Sequence, residues 1–127
     1  MPLARIDLVE GKSADYRRTI GEVVYEGVIG PLNAPKGDRF QVITEHPDND
    51  FIADPTFLDI RRTRDCVFIQ VTMNEGRTLE QKRGFYKLVA YGLNQRLGLR
   101  REDVFINLVE VKKENWSFGN GVAQYAQ

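Results

Sequence analysis

At 127 residues the chain is about one domain in length, enough to bury a real core but not several. Eighteen Lys and Arg balance eighteen Asp and Glu with no run of like charge, so the footprint of a nucleic-acid or membrane-surface binder is missing. A single cysteine excludes a disulfide within the chain, and no apolar stretch approaches the ~18 residues of a membrane span.

These features suit a reducing cytoplasm, with Cys66 in C-V-F-I-Q-V as a small buried hydrophobe and no basic-then-apolar leader. The chain opens M-P-L-A-R-I-D-L, and L-A-R-I-D-L-V reads as a strand. Gly11 supplies a turn and Ser13 an N-cap, and Tyr16, Ile20, Val23, Val24, Gly27 and Val28 then form a helical stripe. Gly30, Pro31 and Pro35 stop that helix before R-F-Q-V-I-T returns as a strand. Residues 47–65 are a connector, long for its role. After it V-F-I-Q-V-T is a strand, Thr78 and Gln81 make a T-x-x-Q capping box, and Phe85, Leu88, Val89, Leu93 and Leu97 form a second stripe. Gly98 ends that helix, and V-F-I-N-L-V-E-V is the last strand.

The two halves are copies. Shifting the chain by 65 residues without a gap pairs 1–46 with 66–111 and gives nine identities, among them Arg18/Arg83, Gly27/Gly92, Leu32/Leu97, Asp38/Asp103 and Phe40/Phe105. Chance at ordinary residue frequencies gives roughly three. The fold class is therefore α/β (α+β), a single domain 1–127 of duplicated βαβ units about 1–46 and 66–111, with a tail at 112–127. Right-handed crossovers make the strands of each unit parallel and put both helices on one face of a four-stranded sheet. The other face is left bare. The connector and tail are mostly polar, and Phe68 and Phe105 make water there costly, so oligomerisation is expected to cover it.

Pro2 poses a chemical question. Proline tolerates the first position of a strand, yet its duplicate is Val67, so the unit itself needs no proline there. With Met1 removed, Pro2 would carry a free amine, and α-amino groups titrate near 8 in model peptides.

A duplicated βαβ chain beginning Met-Pro resembles the tautomerase superfamily. Within it P-L-A-R-I-D-L-V-E-G-K, P-K-G-D-R-F-Q-V-I-T-E-H-P, E-Q-K-R-G-F-Y-K-L and W-S-F-G resemble the malonate semialdehyde decarboxylase branch, in order along nearly the whole chain. The resemblance implies a cofactor-free, metal-free enzyme that assembles as a trimer and uses Pro2 as catalytic amine. It implies that Asp38 of P-x-x-D-R-[FY]-Q activates water or orients a carbonyl, although a turn residue before a strand explains Asp38 and Asp103 equally well. Arg77 matches an arginine that grips the substrate carboxylate, while its duplicate Lys12 fits a solvated surface as readily.

One departure matters. Where that branch carries a further arginine, this chain has Asn74 and Glu75, which removes a cation that would stabilise an enolate. The reading is thus a cofactor-independent tautomerase of small 2-oxo acids. A malonate semialdehyde decarboxylase or hydratase is the alternative, and a non-catalytic oligomeric binding module the second alternative. The expected partners are a small carboxylate substrate and further copies of the chain, with no nucleic acid and no membrane. Asn74, Phe51, Trp116 and Phe118 are the substrate-binding candidates, with interface or core packing the alternative for the three aromatics. His46 lacks neighbouring metal ligands in sequence and reads as a hydrogen-bonded residue at a strand end.

Overall fold

The computed structural model describes residues 2–126, so Met1, whose removal the catalytic reading of Pro2 requires, lies outside the described residues. β1 (Leu3–Val9), α1 (Ala14–Ile29) and β2 (Phe40–His46) are followed, after the connector, by β3 (Val67–Asn74), α2 (Leu79–Leu97) and β4 (Val104–Val111). The helix signals act as their chemistry dictates. Ser13 accepts from the Tyr16 amide at 3.0 Å, the Thr78/Gln81 box is closed in both directions, and Gly98 takes the left-handed conformation at φ 68°.

The sheet order is β2-β1-β3-β4. β1 runs parallel to β2 and β3 parallel to β4, while β1 and β3 are antiparallel, which makes the sheet mixed. Both helices cover one face. There Ala4, Ile6 and Leu8 of β1 and Val67, Ile69, Val71 and Met73 of β3 bury against Ile20, Val23 and Val24 of α1 and Phe85, Val89 and Leu93 of α2. Period-2 burial along the central strands fixes the register, since a slip of one residue would turn this apolar set to the other face.

The repeated glycines hold the helices close. A Cβ on Gly27 would lie 2.8 Å from Cδ1 of the fully buried Phe85, and one on Gly92 would lie 3.0 Å from Val23 Cγ1. Alanine in a helix gains about 1 kcal/mol over glycine, whereas overpacking a closed core costs about 1–3 kcal/mol. Because the Phe85 ring has no room to yield, the second effect wins: Gly27→Ala is expected to lose roughly 1 kcal/mol in urea unfolding and Gly92→Ala less. A Gly27→Ala protein as stable as the native one would contradict this packing.

The other sheet face is neither bare nor fully covered. Phe40, Val42 and Phe105 are 53, 43 and 43% exposed there, beside Arg5 and the Gln70–Asn107 hydrogen bond of 3.0 Å. The expectation that the connector leaves this face open is corrected at one end. Phe51 stacks on Phe68 with ring centroids 4.3 Å apart, and the Arg62 guanidinium lies over the Phe57 and Phe105 rings at 6.0 Å. A few aromatics suffice because the segment is tied to itself: Arg62 Nη1 donates to the carbonyls of Asp54, Phe57 and Ile60. His46 ends β2 as a hydrogen-bonded residue, with Nε2 2.7 Å from Asp7 Oδ1.

Candidate active site

The register decides what meets at each end of the sheet. Leu3 pairs with Phe40 on one side and with Thr72 on the other, so the buried Pro2, one step back, stands level with Arg39 and Met73. Asp38 belongs to the turn that enters β2, Asn74 closes β3 opposite Val111 of β4, and Arg77 follows in the next turn. Trp116 and Phe118 leave β4 at the same end. Six of the seven sequence candidates are therefore neighbours there. Phe51 is not among them, because it follows the far end of β2, and within one chain it packs on Phe68 instead of lining this site.

Asp38 is the unusual group. Its Oδ1 is buried and has no hydrogen-bond partner among the described residues. A buried acceptor left unpaired costs about 1–3 kcal/mol, so the position is poor for a residue that merely shapes a turn. Burial pushes the Asp38 carboxyl above the ordinary aspartate range, with the positive charge of Arg77 drawing it back. The native chain then keeps this proton to higher pH than the unfolded chain does. Stability from this group is full below the unfolded carboxylate value and is lost as pH rises through the raised native value. Asp38→Asn is accordingly expected to raise the Tm by about 2–4 °C at pH 7 and by less at pH 4, while costing activity. A Tm lowered at pH 7 would show the carboxylate to be stabilising.

Arg77 is held by backbone. Nε donates to the Leu32 carbonyl at 2.9 Å and Nη1 to the Asn74 carbonyl at 3.1 Å, leaving Nη2 without a partner among the described residues. Leu32 is a contributor that sequence reading missed, and no side-chain signal could have revealed it, because the group that acts is a carbonyl. Asn74 Oδ1 in turn accepts from Trp116 Nε1 at 2.7 Å. Trp116 stacks on Phe118 at 5.5 Å and Phe118 meets Tyr125 edge-on at 4.9 Å, forming an aromatic wall from the tail.

The duplication supplies an internal comparison. At the opposite end of the sheet Asp103, Lys12 and Val67 occupy the positions of Asp38, Arg77 and Pro2. There the charged counterparts are paired. Asp103 is 0% exposed and accepts from the Thr63 amide and hydroxyl, both at 2.6 Å, and Lys12 is paired with Asp65 at 2.9 Å. The void left among Lys12, Tyr16, Cys66 and Val67 is about 10 Å³, too small for a substrate. Burial pushes the Cys66 thiol up to about 11, which keeps it an inert apolar filler. Residues 63–66 thus plug this end, whereas at the other end the corresponding aspartate is only half-buried and its buried Oδ1 has no partner among the described residues. A larger groove of about 410 Å³, lined by Ile60, Arg62, Tyr91 and Arg101, lies along the β4 edge and shares none of the Pro2 cluster.

A family model described as "Tautomerase enzyme" matches residues 38–119, and a second model of the same description matches residues 2–59. "Probable tautomerase YusQ" of Bacillus subtilis is 38% identical over 98% of this chain and 98% of its own length. "Probable tautomerase YrdN" of the same organism is 36% identical over 98% of this chain and 96% of its own. Among solved structures, FG41 malonate semialdehyde decarboxylase inhibited by 3-bromopropiolate superposes with a TM-score of 0.89 at 37% identity, covering 97% of this chain and 93% of that one. A second malonate semialdehyde decarboxylase gives 0.90 at 28% identity, covering 97% and 95%. A fused 4-OT, described as a wild-type symmetric trimer, shares the fold with a TM-score of 0.79 at 19% identity over 98% of each chain.

Proposed function

The chain belongs to the tautomerase family of enzymes, and from that premise we propose that it is a cofactor-independent tautomerase of small 2-oxo acids acting through the amine of Pro2. The observation that carries the reading is the contrast between the two ends of the sheet. One is plugged, with Asp103 and Lys12 paired, and the other combines a strand-end proline with a buried Asp38 oxygen and an Arg77 Nη2 that have no partner among the described residues.

In this reading Arg77 grips the substrate carboxylate by charge-assisted hydrogen bonds. Neutral Pro2 takes a proton from C3, the C–H electron pair becomes the C2=C3 bond, and the carbonyl pair moves onto oxygen, which gains a proton from water. Pro2 then releases its proton to solvent, and ketonisation is the reverse. Asp38 Oδ1 accepts the hydrogen bond of the enol hydroxyl, which gives that orphan oxygen a partner during turnover. Copies of the chain assemble as a trimer over the sheet face that exposes Phe40, Val42 and Phe105.

A second reading, a malonate semialdehyde decarboxylase-type lyase, is favoured by the 37% identity to that enzyme from FG41 across nearly the whole chain. It asks more of the site, since neutral Asn74 stands where a second cation would stabilise the departing charge. Measuring ketonisation of phenylpyruvate enol beside CO₂ release from malonate semialdehyde separates the two. The tautomerase reading expects the first rate to dominate, and CO₂ release with no ketonisation would replace it by the lyase.

A further inference from the structure

We propose that Trp116 is a positioning residue: its indole N–H fixes the Asn74 amide so that Nδ2 donates to the 2-oxo oxygen of a monocarboxylate held by Arg77. This deepens the tautomerase reading and rests on it. An indole nitrogen can only donate, so the atom 2.7 Å from Trp116 Nε1 must be the amide oxygen of Asn74, and the amide nitrogen is turned the other way. That nitrogen has no hydrogen-bond partner among the described residues.

The same residue holds the cation. The backbone carbonyl of Asn74 accepts from Arg77 Nη1 at 3.1 Å while Leu32 accepts from Nε at 2.9 Å. Of the five guanidinium hydrogens two are committed to backbone, so a carboxylate meets the end-on edge formed by the second Nη1 hydrogen and Nη2. The Asn74 amide adds one neutral donor beside that charged edge. One full charge and one neutral donor match a 2-oxo monoacid, whose single carboxylate adjoins a carbonyl. A second carboxylate would find no second cation at Asn74. The donor's effect is largest when negative charge builds on the carbonyl oxygen, so it acts on kcat more than on KM.

A double-mutant cycle tests the arrangement, using ketonisation of phenylpyruvate enol by the full chain. Asn74→Ala removes the donor and is expected to lower kcat about 10²-fold with little change in KM. Trp116→Phe keeps an aromatic ring against Phe118 but removes the N–H, and is expected to lower kcat about 10-fold with a Tm lowered by only a few degrees. In the double variant Trp116→Phe should add nothing to Asn74→Ala, because the indole acts through the amide. Multiplying losses would make Trp116 an independent wall residue, and an undiminished kcat in either single variant would overturn the proposal. Pro2→Ala in the same assay keeps the two levels apart. If it is impaired while Asn74→Ala is not, only this inference fails; if it is unimpaired, the proline mechanism falls while the inference is still judged on its own variants, and absence of ketonisation by the native chain overturns the tautomerase reading and the inference together.

Discussion

Pro2→Ala is expected to lower kcat for ketonisation by about 10²-fold or more while KM changes little, since general acid–base groups contribute roughly 10²–10⁴ to turnover. The substitution is informative because it is mild. Alanine at the same position still carries a terminal amine once Met1 is removed, so a large loss assigns the chemistry to the proline ring nitrogen and its fixed backbone. Pro2 is buried at the mouth of β1 and lies outside its ladder, which begins at Leu3, so the strand from Leu3 onward keeps its pairing with Phe40 and Thr72. The Tm should therefore hold. The pH profile gives an independent check. A neutral amine acting as base makes kcat/KM rise with pH through the amine's own pKa, whereas an amine acting as acid makes it fall. Intact mass must show the loss of Met1, because an acylated Pro2 nitrogen is an amide and cannot carry the proton. Retention of Met1 in active protein, or an unchanged rate in Pro2→Ala, would remove proline from the mechanism.

Arg77→Ala is expected to produce the second large effect, a KM raised about 10²-fold with a further loss in kcat. A bidentate charge-assisted contact and its desolvated surroundings are together worth roughly 3 kcal/mol, close to a 10²-fold change in binding. The loss is not confined to the substrate. Arg77 also satisfies the carbonyls of Leu32 and Asn74, and leaving the two acceptors unmet lowers stability by about 1–3 kcal/mol. Its positive charge draws down the Asp38 carboxyl, so the pH range over which native stability falls should move upward in the variant. Arg77→Lys separates these parts. Lysine keeps a positive charge but not the planar fork, so KM should recover only in part. Full recovery in Arg77→Lys would mean that a point charge suffices and that the fork has no role.

Much of the architecture was legible in the sequence because it rests on short-range rules. The 65-residue repeat, the Ser13 and Thr78/Gln81 caps, the left-handed Gly98 and the two helical stripes each follow from spacing and residue type, and all of them form. Motif order along the chain also indicated the family. The connector was read less well. For Phe51 both a pocket wall and core packing were open, and the stacking on Phe68 favours packing within one chain, a contact that joins residues 17 positions apart through a fold that composition does not describe.

The sequence by itself therefore determined the elements, their doubling and the residue types available for chemistry, all consequences of periodicity and local backbone preference. Only the tertiary structure decided how differently the two ends of the sheet are packed. Asp38 and Asp103 precede their strands alike, yet Thr63 donates to both oxygens of Asp103, whereas Asp38 Oδ1 has no partner among the described residues. The difference lies in the plug that residues 63–66 form at the Asp103 end, and burial and hydrogen-bond satisfaction are properties of the packed chain.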